Sequence, residues 1–116
     1  MEICNYILYN SVNETSSRPS NKGELIITEE NQCNKLLNEN YWSYVVVSSL
    51  LCTAGANLTI LNNPYLEEVT FYRETFKNSQ NLVISNNPRL ESIFIKESAF
   101  QNTNSVIIRG IVLKVV

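Results

Sequence analysis

The stretch Asn57–Asn104 constrains this chain more than any other part, because it is one passage written twice. Asn57-Leu58-Thr59-Ile60-Leu61-Asn62-Asn63-Pro64-Tyr65-Leu66-Glu67-Glu68-Val69-Thr70-Phe71, closing at Phe76-Lys77-Asn78, returns as Asn81-Leu82-Val83-Ile84-Ser85-Asn86-Asn87-Pro88-Arg89-Leu90-Glu91-Ser92-Ile93-Phe94-Ile95, closing at Phe100-Gln101-Asn102. The offset is constant at 24 residues (81 − 57). A period of this size belongs to stacked units, each of which buries its apolar face only against its neighbours. The expected fold is therefore mainly β: a short parallel β-solenoid of about three coils, with little helix.

Within one unit the chemistry assigns the parts. Leu82 and Ile84 alternate with polar or exposed positions, as a strand with one buried face requires, and Ile93 and Ile95 do the same on a second strand. Asn86-Asn87-Pro88 turns the chain between them, since Asn tolerates left-handed backbone angles and Pro ends a strand. Leu90 dips into the core at the corner, and Phe100 fills the far end of the unit. Stacking puts equivalent residues roughly 4.8 Å apart. Asn62 over Asn86 and Asn63 over Asn87 are then expected to form amide ladders. Tyr65 falls beside Arg89, a cation–π geometry, and Arg73 falls beside Glu97 as a surface ion pair. Phe76 over Phe100 carries the largest burial.

Traced backwards, the offset matches Val45 with Val69 and Ile93, Val47 with Phe71 and Ile95, and Cys52 with Phe76 and Phe100. This turns Tyr41–Ala56, which lies in a run without charge from Asn40 to Leu66, into part of a degenerate coil rather than a membrane span or signal segment. Glu24–Thr28 has β character, and its Leu25 and Ile27 share the spacing of Leu58 and Ile60; from Leu25 to Leu58 the chain fits one coil with an insertion. Cys33, Leu36 and Leu37 stand at helical spacing, which suggests a short helical turn over Glu29–Asn40. The expected layout is an N-terminal strand and mobile polar loop over 1–23, then repeats over 24–116. The degenerate coil is 24–56, the clear coils are 57–80 and 81–104, and a partial coil is 105–116. Met1–Tyr9 reads as an edge strand or the remnant of a preceding coil. Ile111–Val116 ends on exposed-looking β residues, which points to a fragment of a larger chain or to self-association through that strand.

Composition removes whole classes of chemistry. His is absent and all 11 acidic residues are Glu. No Ser-His or Cys-His pair, no imidazole metal ligand and no Asp-based calcium loop can be built. Net charge is −2 and the pI is near 5.1, so no footprint for nucleic acid or an anionic membrane exists. Cys4, Cys33 and Cys52 show no CxxC spacing and cannot make a four-ligand zinc site by themselves; the expected reading is three small core hydrophobes, with a single disulfide as the alternative. Asn13-Glu14-Thr15 and Asn57-Leu58-Thr59 are glycosylation sequons, the second overlapping a strand start.

The pattern Leu82-x-Ile84-x-Asn86-Asn87-Pro88-x-Leu90-x-Ser92-Ile93-x-Ile95, followed by Ala99-Phe100-x-Asn102, resembles leucine-rich repeats of the BspA-like type. It covers Asn57–Ile108 well and Leu25–Ala56 by degenerate match, without the usual Cys or Gly after Ala-Phe. The resemblance implies a protein-binding module, often of a cell-surface protein, and brings no catalytic residues, cofactor or metal with it.

Candidate partner-binding residues are Tyr65, Tyr72, Arg73, Arg89 and Lys96, read as one rim of aromatic and cationic side chains, with Trp42 as a further anchor. Glu67 and Glu91, equivalent in adjacent units, have the carboxylate spacing of a retaining glycosidase, but a repeated acidic position gives that spacing without catalysis. The expected function is a non-enzymatic interaction scaffold. The alternatives are a self-associating structural solenoid and a carbohydrate-active β-helix using Glu67 and Glu91.

Overall fold

The computed structural model describes residues 6–9, 23–110 and 112–115. Among them the strands are β1 (Tyr6–Tyr9), β2 (Glu24–Ile27), β3 (Tyr44–Val47), β4 (Leu58–Leu61), β5 (Glu68–Phe71), β6 (Asn81–Ser85), β7 (Ser92–Ile95), β8 (Ser105–Ile108) and β9 (Val112–Val115). One helix, α1 (Cys33–Asn38), follows a 3-10 turn at Glu30–Gln32. The fold is mainly β, as the strand alternation requires, and two sheets account for it. The larger has the order β2-β3-β5-β7-β1-β9 and the smaller β4-β6-β8. From β2 to β7 the large sheet is parallel throughout, and so is the small one. The chain alternates between them from β3 to β9.

The pairing registers carry the sequence offset into space. Tyr44 stands opposite Glu68 and Glu68 opposite Ser92; Leu58 stands opposite Leu82 and Leu82 opposite Val106. Each pair is 24 residues apart. Val45, Val69 and Ile93 form one buried row and Val47, Phe71 and Ile95 another, while Leu58, Ile60, Leu82 and Ile84 face them from the small sheet. Leu66 and Leu90 reach the core at the corners, as expected. Phe76 and Phe100 stack with ring centroids 5.4 Å apart and an interplanar angle of 4°, and Phe71 meets both edge-on. Aromatic burial of this kind dominates a small core.

The turns obey the same offset. Asn62 and Asn86 both adopt left-handed φ near +60°, and Gly110, one offset further on, does so at +87°. Leu50, Glu74 and Ser98 form a second left-handed series, and Cys52, Phe76 and Phe100 a third. The expected amide ladders are present. Asn86 Nδ2 donates to Asn62 Oδ1, and Asn87 Oδ1 accepts from both the backbone N–H and the Nδ2 of Asn63 at 2.9 Å. Asn87 Nδ2 in turn donates to the carbonyls of Ile60 (3.0 Å) and Ser85 (3.1 Å). Asn102 donates to Asn78 in a further rung.

Four expectations need correction. First, β2 joins β3 in the large sheet, with Leu25 opposite Val45, so it belongs with Val69 and Ile93 and not with Leu58 and Leu82. The β2–β3 offset is 20 residues, so this segment is four shorter than the others, with no insertion. Its helix packs beside β4, on the side where the small sheet has no further strand. Second, Cys33 and Cys52 are buried but not free thiols: they form a disulfide. It ties the start of α1 to the position that Phe76 and Phe100 hold in the following units. Cys4 lies outside the described residues.

Third, β1 is neither an edge strand nor the start of the stack. It lies antiparallel between β7 and β9, with Leu8 opposite both Ile93 and Leu113. The parallel part of the large sheet thus ends on a strand from the other end of the chain, and β9 finds its partner within the molecule. Fourth, Arg73 pairs with its neighbour Glu74 (3.2 Å) rather than with Glu97, and Lys77 shares the same carboxylate (3.4 Å). The polar loop expected over residues 10–22 lies outside the described residues. No helix among the described residues is long and apolar enough to cross a membrane, and the uncharged Tyr41–Ala56 stretch contains β3.

Candidate functional site

The strand registers decide where the five candidate residues stand. Tyr72 and Lys96 directly follow β5 and β7, and their N–H groups donate to Val47 and Phe71 at 3.1 and 2.9 Å. They are equivalent positions at the exit of the large-sheet strands, and Arg73 lies next to Tyr72. Tyr72, Arg73 and Lys96 are all exposed. Lys96 Nζ rests 5.6 Å from the ring centroid of Phe94, a cation–π contact within one strand end.

Tyr65 and Arg89 occupy the other end. Both are half-buried and lie three positions before β5 and β7, in one series with Tyr41 ahead of β3. Tyr72 comes seven positions after Tyr65, and the whole of β5 (Glu68–Phe71), roughly 13 Å of strand, lies between them. The single rim expected from sequence is therefore two edges, one at each end of the parallel strands. Tyr72, Arg73 and Lys96 come together; Tyr65 and Arg89 belong to the opposite edge.

Glu67 and Glu91 are also brought into one series. The Glu67 N–H donates to Ser43 O and the Glu91 N–H to Glu67 O, each at 2.8 Å. Tyr44 donates its hydroxyl to Glu67 Oε1 at 3.4 Å. Glu68 has Ser92 as its neighbour, whose hydroxyl donates to Glu68 Oε1 at 3.3 Å. This edge is a stack of hydrogen-bonded main chain carrying carboxylates, as any repeated acidic position produces.

A cavity of about 250 Å³ opens between α1 and the small sheet, where Leu36, Trp42, Thr59 and Leu66 form much of its wall. It exists because the segment before β3 supplies a helix where the later units supply a strand. Trp42 takes the place that Leu66 and Leu90 hold in the next units, and its indole lies against the Tyr41 ring, tilted by 32° with centroids 4.8 Å apart. The Trp42 Nε1–H and Glu39 Oε1 are buried atoms with no hydrogen-bond partner, at the cavity wall. The Tyr41 hydroxyl donates to Glu39 Oε2 at 3.0 Å. That hydrogen bond, with smaller help from burial and from the charge of Glu39, raises the Tyr41 phenol above its usual 10.0. Sequence reasoning singled out Trp42 as an anchor but had no signal for the cavity or for Glu39.

Compared with known protein families, curated proteins and solved structures, the chain matches none.

Proposed function

We propose that the chain is a leucine-rich-repeat-like parallel β-solenoid of about three coils that works as a non-enzymatic scaffold for a protein partner. The observation that carries the reading is the 24-residue register held in both sheets, which fixes side chains at constant spacing on a frame stapled by amide ladders. The working surface is the exit edge of the large sheet, where Tyr72, Arg73 and Lys96 are exposed side by side. An exposed Tyr close in the fold to Lys96 and to Arg73, the latter paired with Glu74, has the residue types of an interface hot spot and suits a partner with acidic groups around an apolar pocket. The BspA-like pattern adds the expectation of a surface or interaction protein.

The test replaces Tyr72 with a photo-crosslinking amino acid, and Leu61, exposed on the small sheet, as the comparison. A partner adduct at position 72 that is lost in an Arg73→Ala/Lys96→Ala chain supports the scaffold. Equal adducts at both positions, or adducts indifferent to those cations, remove it.

A second reading, a self-associating structural solenoid, is favoured by the two sheet edges β8 and β9. Ile107 on β8 is exposed, and β9 lies within the Ile111–Val116 segment singled out from sequence. A strand paired on one side only is a template for another chain at its other side. Sedimentation velocity decides: a monomer at every concentration ends this reading, whereas a dimer dissociated by Ile107→Lys supports it.

A further inference from the structure

Three ligand-type side chains outside the proposed binding edge meet at one corner. The donor atoms of Glu30, Cys33 and Cys52 all lie within 4.8 Å of one another. The two cysteines are buried and Glu30 is exposed, so the carboxylate closes the water side of the cluster. Cys52 stands where the next units carry Phe76 and Phe100. A cysteine does not fill the room of a phenylalanine, and a cavity of about 210 Å³ lies beside the cluster, with Asn34, Leu37, Ala54 and Phe76 in its wall.

Glu30 is already oriented. Its Oε1 accepts the Cys52 N–H at 3.1 Å, replacing the carbonyl that the corresponding Phe76 and Phe100 N–H groups find one unit back. Its Oε2 lies 3.6 Å from Cys33 Sγ. In the disulfide this sulfur has no hydrogen to donate, so the approach is a bare contact between a carboxylate and a sulfur. A tetrahedral zinc ion with sulfur at about 2.3 Å and oxygen at about 2.1 Å has an S···O edge of about 3.6 Å.

We propose that the reduced chain binds one thiophilic divalent cation, zinc, through Cys33 Sγ, Cys52 Sγ and Glu30 Oε2, and that the Cys33–Cys52 disulfide is the locked, metal-free form of the same site. A dithiol supplies two electrons and two protons to the S–S bond and leaves as its own disulfide. Zinc then displaces the two thiol protons into solvent and binds two thiolates and the carboxylate. The sulfurs part from bonding distance to about 3.8 Å, the tetrahedral S···S edge, by turning two side chains. The fourth position faces the cavity, where water or the Asn34 amide oxygen completes the shell.

The test uses the full chain with Cys4→Ser, which removes the third thiol, in disulfide form and after reduction by a phosphine. Cadmium reads the site through its thiolate charge-transfer absorption. One cadmium per reduced chain, displaced by zinc and absent from the disulfide form, is the expected result. Cys52→Ser abolishes the band, and Glu30→Gln weakens binding at least about tenfold while keeping the absorption per bound ion. No band in the reduced chain, or equal binding after Cys33→Ser/Cys52→Ser, overturns the site. An unchanged affinity in Glu30→Gln overturns the three-donor assignment. If reduction loosens the chain, far-ultraviolet circular dichroism separates the cases: zinc that restores the spectrum supports the site, and zinc that leaves it unfolded sinks it.

Discussion

At the residue scale the most heavily used side chain is Asn87. Its amide satisfies a backbone N–H and a side-chain N–H of Asn63 and two carbonyls, of Ile60 and Ser85. Buried donors and acceptors cost about 1–3 kcal/mol each when left without partners, far more than the net worth of an average hydrogen bond. Asn87→Ala should therefore lower unfolding stability by about 3 kcal/mol or more in a denaturant titration, while the exposed Asn86→Gly should cost much less. Gly keeps the left-handed φ of Asn86 available and loses only the exposed rung to Asn62. Tyr41 offers a check of a different kind. Its phenol should titrate above 10.0 by NMR of the ring carbon and fall back toward 10.0 in Glu39→Gln. Because the folded value is raised, any contribution to stability is present below the unfolded pKa and is lost as pH rises through the folded one.

At the element scale the aromatic stack and the disulfide share one line through the core: Cys52, Phe76 and Phe100 hold the same left-handed position in successive units. Phe76→Ala or Phe100→Ala should each cost about 3–5 kcal/mol in thermal or denaturant unfolding, since both are fully buried. The double variant should cost less than the sum, because the rings stack on each other. This line was legible in sequence, because a constant offset aligns residues without knowledge of their surroundings. The ladders, Leu66, Leu90 and the short helix were legible for similar reasons of turn chemistry and spacing. The sheet to which β2 belongs was not. Leu25-x-Ile27 alternates with a period of two, and that pattern is identical in either sheet. The Cys33–Cys52 bond was hidden too, because α1 brings the pair together and no periodic pattern fixes its path. Nor was the division of the five candidate residues between two edges visible, although counting from Tyr65 across β5 to Tyr72 contains it.

At the scale of the whole molecule, β1 has no copy elsewhere in the chain, so repetition could not place it. Lying between β7 and β9, it needs backbone hydrogen bonds on both sides. A proline there removes a donor and is tolerated only at sheet edges. Ile7→Pro should abolish amide-exchange protection in β9 while the β3–β5 pairing stays protected; unchanged protection of β9 would show that β9 holds without β1.

The same placement orders events in time. Tyr6–Tyr9 precedes both of its neighbours in the sequence and cannot pair until Ser92–Ile95 and Val112–Val115 have been made. During synthesis Tyr6–Tyr9 should therefore wait without its partners while the parallel pairs assemble. Pairings between distant parts of a chain form slowly, because the loop must close before any contact rewards it. Insertion of β1 should therefore follow the pairing of β3 with β5. Chaperone demand and sensitivity to translation speed should concentrate on that step.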